Sequence, residues 1–220
     1  MSADAIEILT ESAQKRWPAS VRIAAALGGT SGFAAAVSRQ LLRRARPMCT
    51  KWIDSDEADR WFLHHTILRA RSTDARETLG KPDALIAAFD KPTTEYVAFI
   101  RALRTLSFQQ REAFVLSECE RLDPRLVAVS MDCSKTAAQQ HLLEATQQLT
   151  LVAGETYDVQ IKRLRGAYQH LSPREDETAK RIQWLGRPIV VKRKIRRVLV
   201  TVITIALIAI AAVVAYRVWS

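Results

Sequence analysis

Five residues in this chain stand where side chains could read a nucleic-acid duplex. Lys135, Thr136, Gln139, Gln140 and His141 open a polar helix that follows a cap at Ser134 and a tight turn at Asp132-Cys133. Before that turn, Asp123-Pro124 is an Asp cap followed by a proline in the first helical turn, which predicts a short helix over Pro124–Met131. Two helices joined by three or four residues, the second opening on Ser, have the spacing of a helix-turn-helix. That motif sends the start of its second helix into the major groove. A Gln there can pair bidentately with adenine, and a Lys can reach phosphate or guanine. From spacing alone, a plain helical hairpin with a solvated polar face fits as well.

No other constellation competes. The sequence holds no GxxxxGK[ST], GxGxxG, HExxH or GxSxG, which removes the usual phosphate-loop, dinucleotide, zinc-protease and esterase signatures. His64 and His65 are adjacent on a predicted helix, so their side chains diverge and chelate poorly. His141 and His170 stand alone. Asp54, Asp56, Glu57 and Asp59 lack the Gly and terminal Glu of a calcium loop and read as a helix N-terminus, which favours acids. Cys49, Cys119 and Cys133 form no CxxC pair, and the odd count argues against a disulfide framework. Cys119 and Cys133 sit among apolar residues as small core fillers. The expectation is a protein without enzyme activity, metal or cofactor.

The elements around the five residues are helical throughout. Only 7 Gly and 7 Pro occur in 220 residues, and strand-like alternation is nearly absent before the C-terminal run. Helices are predicted over Ile6–Arg16, ending at Trp17-Pro18, then Val21–Leu27, Phe33–Ala45 after a cap at Thr30-Ser31, and Ala58–Arg71. On the third of these, Arg39, Arg43, Arg44 and Arg46 populate the face opposite Phe33, Val37, Leu41 and Leu42. Turn signals at Gly80-Lys81-Pro82 and Asp90–Thr94 bracket a connector. Beyond it, Val97–Leu106 is one helix. Ser107 and Gln110 form a capping-box pattern that opens a helix to Arg121. A helix over Lys135–Leu151 carries Ala138, Leu142, Ala145 and Leu149 on one face. Thr156–Leu171 reads as amphipathic through Val159, Ile161, Leu164 and Tyr168, and a second capping-box pattern at Ser172–Glu175 starts a helix to Leu185.

The net charge of +10 is concentrated at the C-terminus. Seven basic residues and no acids lie from Arg187 onward, leaving +3 for everything upstream. They flank Val198–Ala215, which has no ionisable side chain. About 20 apolar residues suffice to cross a bilayer, so a single transmembrane helix over 198–218 is expected. The cluster Lys192, Arg193, Lys194, Arg196 and Arg197 marks the cytoplasmic side and a contact for anionic membrane lipid. The N-terminal dozen residues carry early acids and no apolar core, unlike a signal peptide.

The stretches LRTLSFQQREAFVLSE and RLDPRLVAVSMDCSKTAAQQHLLEA resemble region four of bacterial RNA polymerase sigma factors of the extracytoplasmic-function group. The match runs through Leu103, Leu106, Gln110-Arg111-Glu112, Phe114, Leu116, Leu122, Ala128, Ser134 and Leu142. Residues Asp54–Arg71 are similar to the Trp-centred region-two helix that meets the promoter −10 element in that family. The resemblance implies two small helical domains, and the apolar run adds a terminal membrane helix to this all-α chain. These are a region-two-like bundle over 1–80, a linker over 81–95, and a helix-turn-helix over 96–151. A helical spacer with a basic juxtamembrane segment over 152–197 and the transmembrane helix over 198–218 complete it.

The resemblance implies a transcription regulator at the inner face of the bacterial cytoplasmic membrane. Promoter DNA would be read by Lys135, Thr136, Gln139, Gln140 and His141. RNA polymerase core and a membrane or anti-sigma regulator protein would be its partners. The chain departs from the family in four places, one being Arg125-Leu126 where the family usually has Glu before the buried Ala. Its third predicted helix, in the stretch GFAAAVSRQLL, has no acid where the family's clamp-docking helix is acidic. Asp132 stands at the usual turn glycine. Gln139 and His141 replace the usual Lys and Arg of the recognition helix. These departures suit a second reading, a sigma-like scaffold that has lost DNA reading and serves as a membrane-bound interaction or signalling component.

Overall fold

The computed structural model describes residues 3–72 and 82–183, and among these there is no strand. Nine α-helices are labelled here: α1 (Ala3–Gly28), α2 (Ser31–Met48), α3 (Ser55–Ser72), α4 (Ala84–Ala87), α5 (Thr94–Thr105), α6 (Phe108–Phe114), α7 (Pro124–Met131), α8 (Lys135–Ala153) and α9 (Tyr157–His170). Residues 175–183 form a further helix. Residues 1–179 make one compact unit, and a second begins at residue 180. The expected transmembrane segment, 198–218, lies outside the described residues. Among those described, no helix is long and apolar enough to cross a membrane.

The local signals place most helix ends. The Thr30 hydroxyl accepts from the Phe33 amide at 3.1 Å and caps α2. Asp54 accepts from the Glu57 amide at 2.7 Å at the head of α3. Both halves of the capping box at Ser107 and Gln110 form, at 3.0 and 3.2 Å. Gly29, at φ +80°, ends α1 in the left-handed region that glycine enters without penalty. A Cβ on Gly28 would fall inside the Phe33 ring.

Two expectations are corrected. Trp17-Pro18 does not end the first helix: α1 runs unbroken through Pro18 to Gly28. An interior proline costs about 3 kcal/mol. Trp17, Ala19, Ser20 and Ile23 are all buried around it, and burying one large apolar side chain returns about 1.5–3 kcal/mol. The helix after Ser107 does not stay α-helical to Arg121. It is α-helical to Phe114, then takes one π-turn over Val115–Cys119 and ends at Arg121, whose φ is +56°. The wider turn aims two carboxylates in different directions. Glu118 meets Arg165 of α9 at 2.6 Å, and Glu120 meets Arg22 of α1 at 2.8 Å.

The helices before and after residues 81–95 share one core. A single apolar cluster runs from Ile23–Leu27 and Phe33 through Leu85, Phe99 and Phe114 to Leu149, Leu164 and Tyr168. Polar staples cross the same seam. Arg22 donates to Glu120 and, at 2.9 Å, to the Ser172 hydroxyl, while the Tyr168 hydroxyl donates to Glu120 at 2.6 Å. Burial, and then the Glu120 charge, hold the Tyr168 hydroxyl's pKa well above its ordinary value. Arg71 of α3 grips both oxygens of the fully buried Glu112 on α6, Nε to Oε1 at 2.7 Å, and donates to the Met131 carbonyl at 3.1 Å.

Desolvation is the largest influence on Glu112 and raises its pKa, although Arg71 pulls the other way. An Arg71→Ala variant leaves that carboxylate buried without its partner, at a cost of about 3 kcal/mol, the lower end of the usual range because Arg71 is partly exposed. A raised folded-state pKa means that charging Glu112 opposes folding, so the deficit is greatest at high pH, where Glu112 is ionised. Urea titrations from pH 8 down to pH 5 should show the gap between variant and wild type narrowing as Glu112 takes up its proton.

Candidate nucleic-acid interface

α7, the turn over residues 132–134 and α8 form from their own sequence signals. Asp123 accepts from the Arg125 amide at 2.8 Å, with Pro124 in the first turn of α7. Asp132 ends α7 at φ 56° and ψ 50°, and the Cys133 amide returns to the Ala128 carbonyl at 3.1 Å. The Ser134 hydroxyl then accepts from the Ala137 amide at 3.1 Å and opens α8. Beneath the turn, Val127, Ala128 and Met131 of α7 pack with Ala138, Ala145 and Leu149 of α8 in the common core.

The structure sets four of the five sequence-predicted residues on the outer surface of α8's first two turns. Lys135, Thr136, Gln139 and Gln140 are exposed. His141 is set apart from them. It is half-buried, with Nδ1 enclosed and 4.0 Å from Glu144.

Gln140 is also committed within the protein. Its amide donates to Glu144 Oε1 at 2.8 Å, and Gln110 donates to Oε2 of the same carboxylate at 3.1 Å. Those two bonds, Gln140 first, hold the Glu144 carboxyl below its ordinary pKa. The edge formed by the turn and the start of α8 therefore offers Lys135 as its cation and Thr136 and Gln139 as uncommitted hydrogen-bonding groups, with Asp132 and Glu144 as flanking acids.

The Trp-centred helix is placed differently. Trp61 is only 9% exposed. Its ring stacks on His65 at 4.1 Å between centroids, and Trp52 and Phe62 complete the cluster at 5.4 Å each. α3 packs against α1, α2 and α7, which leaves Asp56, Arg60, Arg71 and Ser72 as its exposed positions. The periodicity of Trp61, Phe62, His65 and Leu68 marks a core stripe.

The Gln110-Arg111-Glu112 triplet has a structural role that spacing alone does not show. Gln110 closes the capping box and reaches Glu144. Arg111 donates to the carbonyls of Leu27 at 3.1 Å, Leu103 at 3.2 Å, Arg104 at 2.6 Å and Leu106 at 3.0 Å. Burial lowers its pKa to about 10. Glu112 takes Arg71. The partners are 8 to 84 residues away in the chain for Arg111's more distant bonds, and no local pattern foretells them.

Among the described residues, no group of three or more His, Cys, Asp or Glu converges to hold a metal ion. The His64 and His65 rings meet edge to face at 5.2 Å, and His64 Nδ1 faces the Ser130 carbonyl at 3.3 Å. No protein-family model matches the chain, and neither does any curated protein or solved structure.

Asp132 lies in the left-handed region, which costs a non-glycine residue about 1 kcal/mol. Asp132→Gly should therefore raise the melting temperature by a few degrees, with the helical circular-dichroism spectrum unchanged; a thermal melt beside wild type measures it.

Proposed function

We propose that this chain is a sigma-factor-like transcription regulator that reads promoter DNA while held at the cytoplasmic membrane by its C-terminal apolar run. The observation that carries the reading is the exposure of Lys135, Thr136 and Gln139 at the start of α8, directly after a three-residue turn from α7. A recognition helix needs that placement to bring base-reading groups into a major groove. The resemblance of residues 97–150 to region four supplies the promoter as the duplex and RNA polymerase core as the further partner. The basic cluster before Val198 supplies the orientation.

One observation favours the second reading, an interaction component that no longer reads DNA. Trp61 is packed in the core and Gln140 is bonded to Glu144, so two elements that would contact the promoter in the family are occupied within the protein. Co-purification separates the two: polymerase subunits accompany a regulator, and membrane proteins alone accompany a scaffold.

The direct test is fluorescence anisotropy of the full chain in detergent with duplex DNA at low salt. Binding should weaken steeply with salt. A Lys135→Ala/Gln139→Ala variant should lose roughly 1–3 kcal/mol per contact removed. Absence of any duplex affinity at low ionic strength would sink the proposal.

A further inference from the structure

α2 carries Arg39, Arg43, Arg44 and Arg46 in 18 residues with no acid. Arg39, Arg43 and Arg46 are spaced i, i+4, i+7 and share a face, and at 1.5 Å per residue they span about 10 Å. Arg39, Arg43 and Arg44 are exposed and Arg46 is half-buried. Among the described residues none of the four forms an ion pair, whereas Arg16, Arg22, Arg71, Arg104 and Arg165 each meet a carboxylate. The opposite face of α2 is fully committed to the interior through Phe33, Val37, Leu41 and Leu42. Among the described residues no carboxylate neutralises this row, so its positive field is open to an approaching anion.

The packing order carries that row toward the helix-turn-helix. α2 lies on α3, α3 on α7, and α7 on α8. Burial and then the Arg44 charge lower the pKa of Arg69 on α3, so those two cations are near neighbours. The His65 and His64 rings follow on α3, and His64 abuts the Ser130 carbonyl at the end of α7. Arg71 meets the next carbonyl, that of Met131. The turn to Lys135 begins one residue later.

We infer that the arginine row of α2 is a second phosphate-contacting surface for duplex DNA, continuous across the C-terminal half of α3 with the edge that presents α8. This rests on the DNA-reading proposal above and deepens it. The recognition helix alone offers one cation, too few for a tight complex, because phosphate neutralisation supplies most of the affinity of such interfaces. Guanidinium groups suit that role, since their fork matches phosphate oxygens bidentately. A duplex is the occupant that fits a straight row on the same rigid unit as a helix-turn-helix. These contacts hold register without reading bases.

The test compares full-length wild type, an Arg39→Gln/Arg43→Gln/Arg44→Gln variant, and the Lys135→Ala/Gln139→Ala variant. All three substituted arginines are exposed, and an unchanged melting temperature confirms that the fold is kept. Affinity for several unrelated duplexes is measured from low to moderate KCl. The arginine variant should lose about 0.9 from the log–log salt slope for each phosphate contact removed, and about tenfold or more in affinity near 0.1 M salt, equally for every duplex. No binding by wild type would defeat the functional proposal itself. Wild-type binding that depends on Lys135 and Gln139 but keeps its slope in the arginine variant would overturn this inference alone. So would loss in the arginine variant with none in the α8 variant. An unchanged DNA slope with weaker partition onto phosphatidylserine vesicles would overturn it in favour of a lipid surface.

Discussion

Arg111 is a half-buried cation that pairs with no carboxylate among the described residues, and the body depends on how it is satisfied. Its guanidinium bridges carbonyls at the end of α1 and along the α5–α6 corner. Arg104 joins it at the same place, donating to the Ala26 and Leu27 carbonyls while holding Asp83 at 2.7 Å. The last carbonyls of a helix lack internal partners and carry its negative dipole end. Two arginines from the second half of the chain therefore complete a helix from the first half. The apolar cluster beneath them could pack in many registers, but five directional donors on one guanidinium fit few.

The other staples repeat this logic at different depths. Arg22 with Glu120 and Tyr168 joins α1 to the π-turn and α9. Arg71 with Glu112 joins α3 to α6 and, through Met131, to the end of α7. In each case the acid is nearly or fully enclosed and the arginine reaches it from the other half of the chain. Breaking such a pair is expensive because the remaining charge has no water to turn to. The segments expected as separate modules thus share both an apolar core and a set of charged locks.

What was legible in the sequence was local. Ser107 with Gln110, Asp123 with Pro124, and Ser134 each bond within three residues, so their types and spacing were sufficient. The exposed start of α8 followed from those same signals. Pro18 was misleading because its local cost is outweighed by burial of Trp17 and Ile23, which only the tertiary structure supplies. Trp61 and His65 share the spacing of a reading face and of a core stripe, and the ring cluster with Trp52 and Phe62 decides between them. His141 is half-buried with its Nδ1 enclosed, which its place near the head of a polar helix does not foretell. The arginines of α2 were visible as a face; that they form no ion pair among the described residues required the positions of the acids on the neighbouring helices.

The enclosure of α3 also bears on how the chain comes to be made. α3 ends at Ser72, yet α7, which covers one flank, ends at Met131. At ribosomal speeds of about 5–20 residues per second, that interval is roughly 3–12 s. Throughout it, Leu63 and Ile67 lack the part of their apolar cluster that the later helices supply. Slower elongation between Ser72 and Met131 would lengthen the period in which these side chains lack their later-made neighbours.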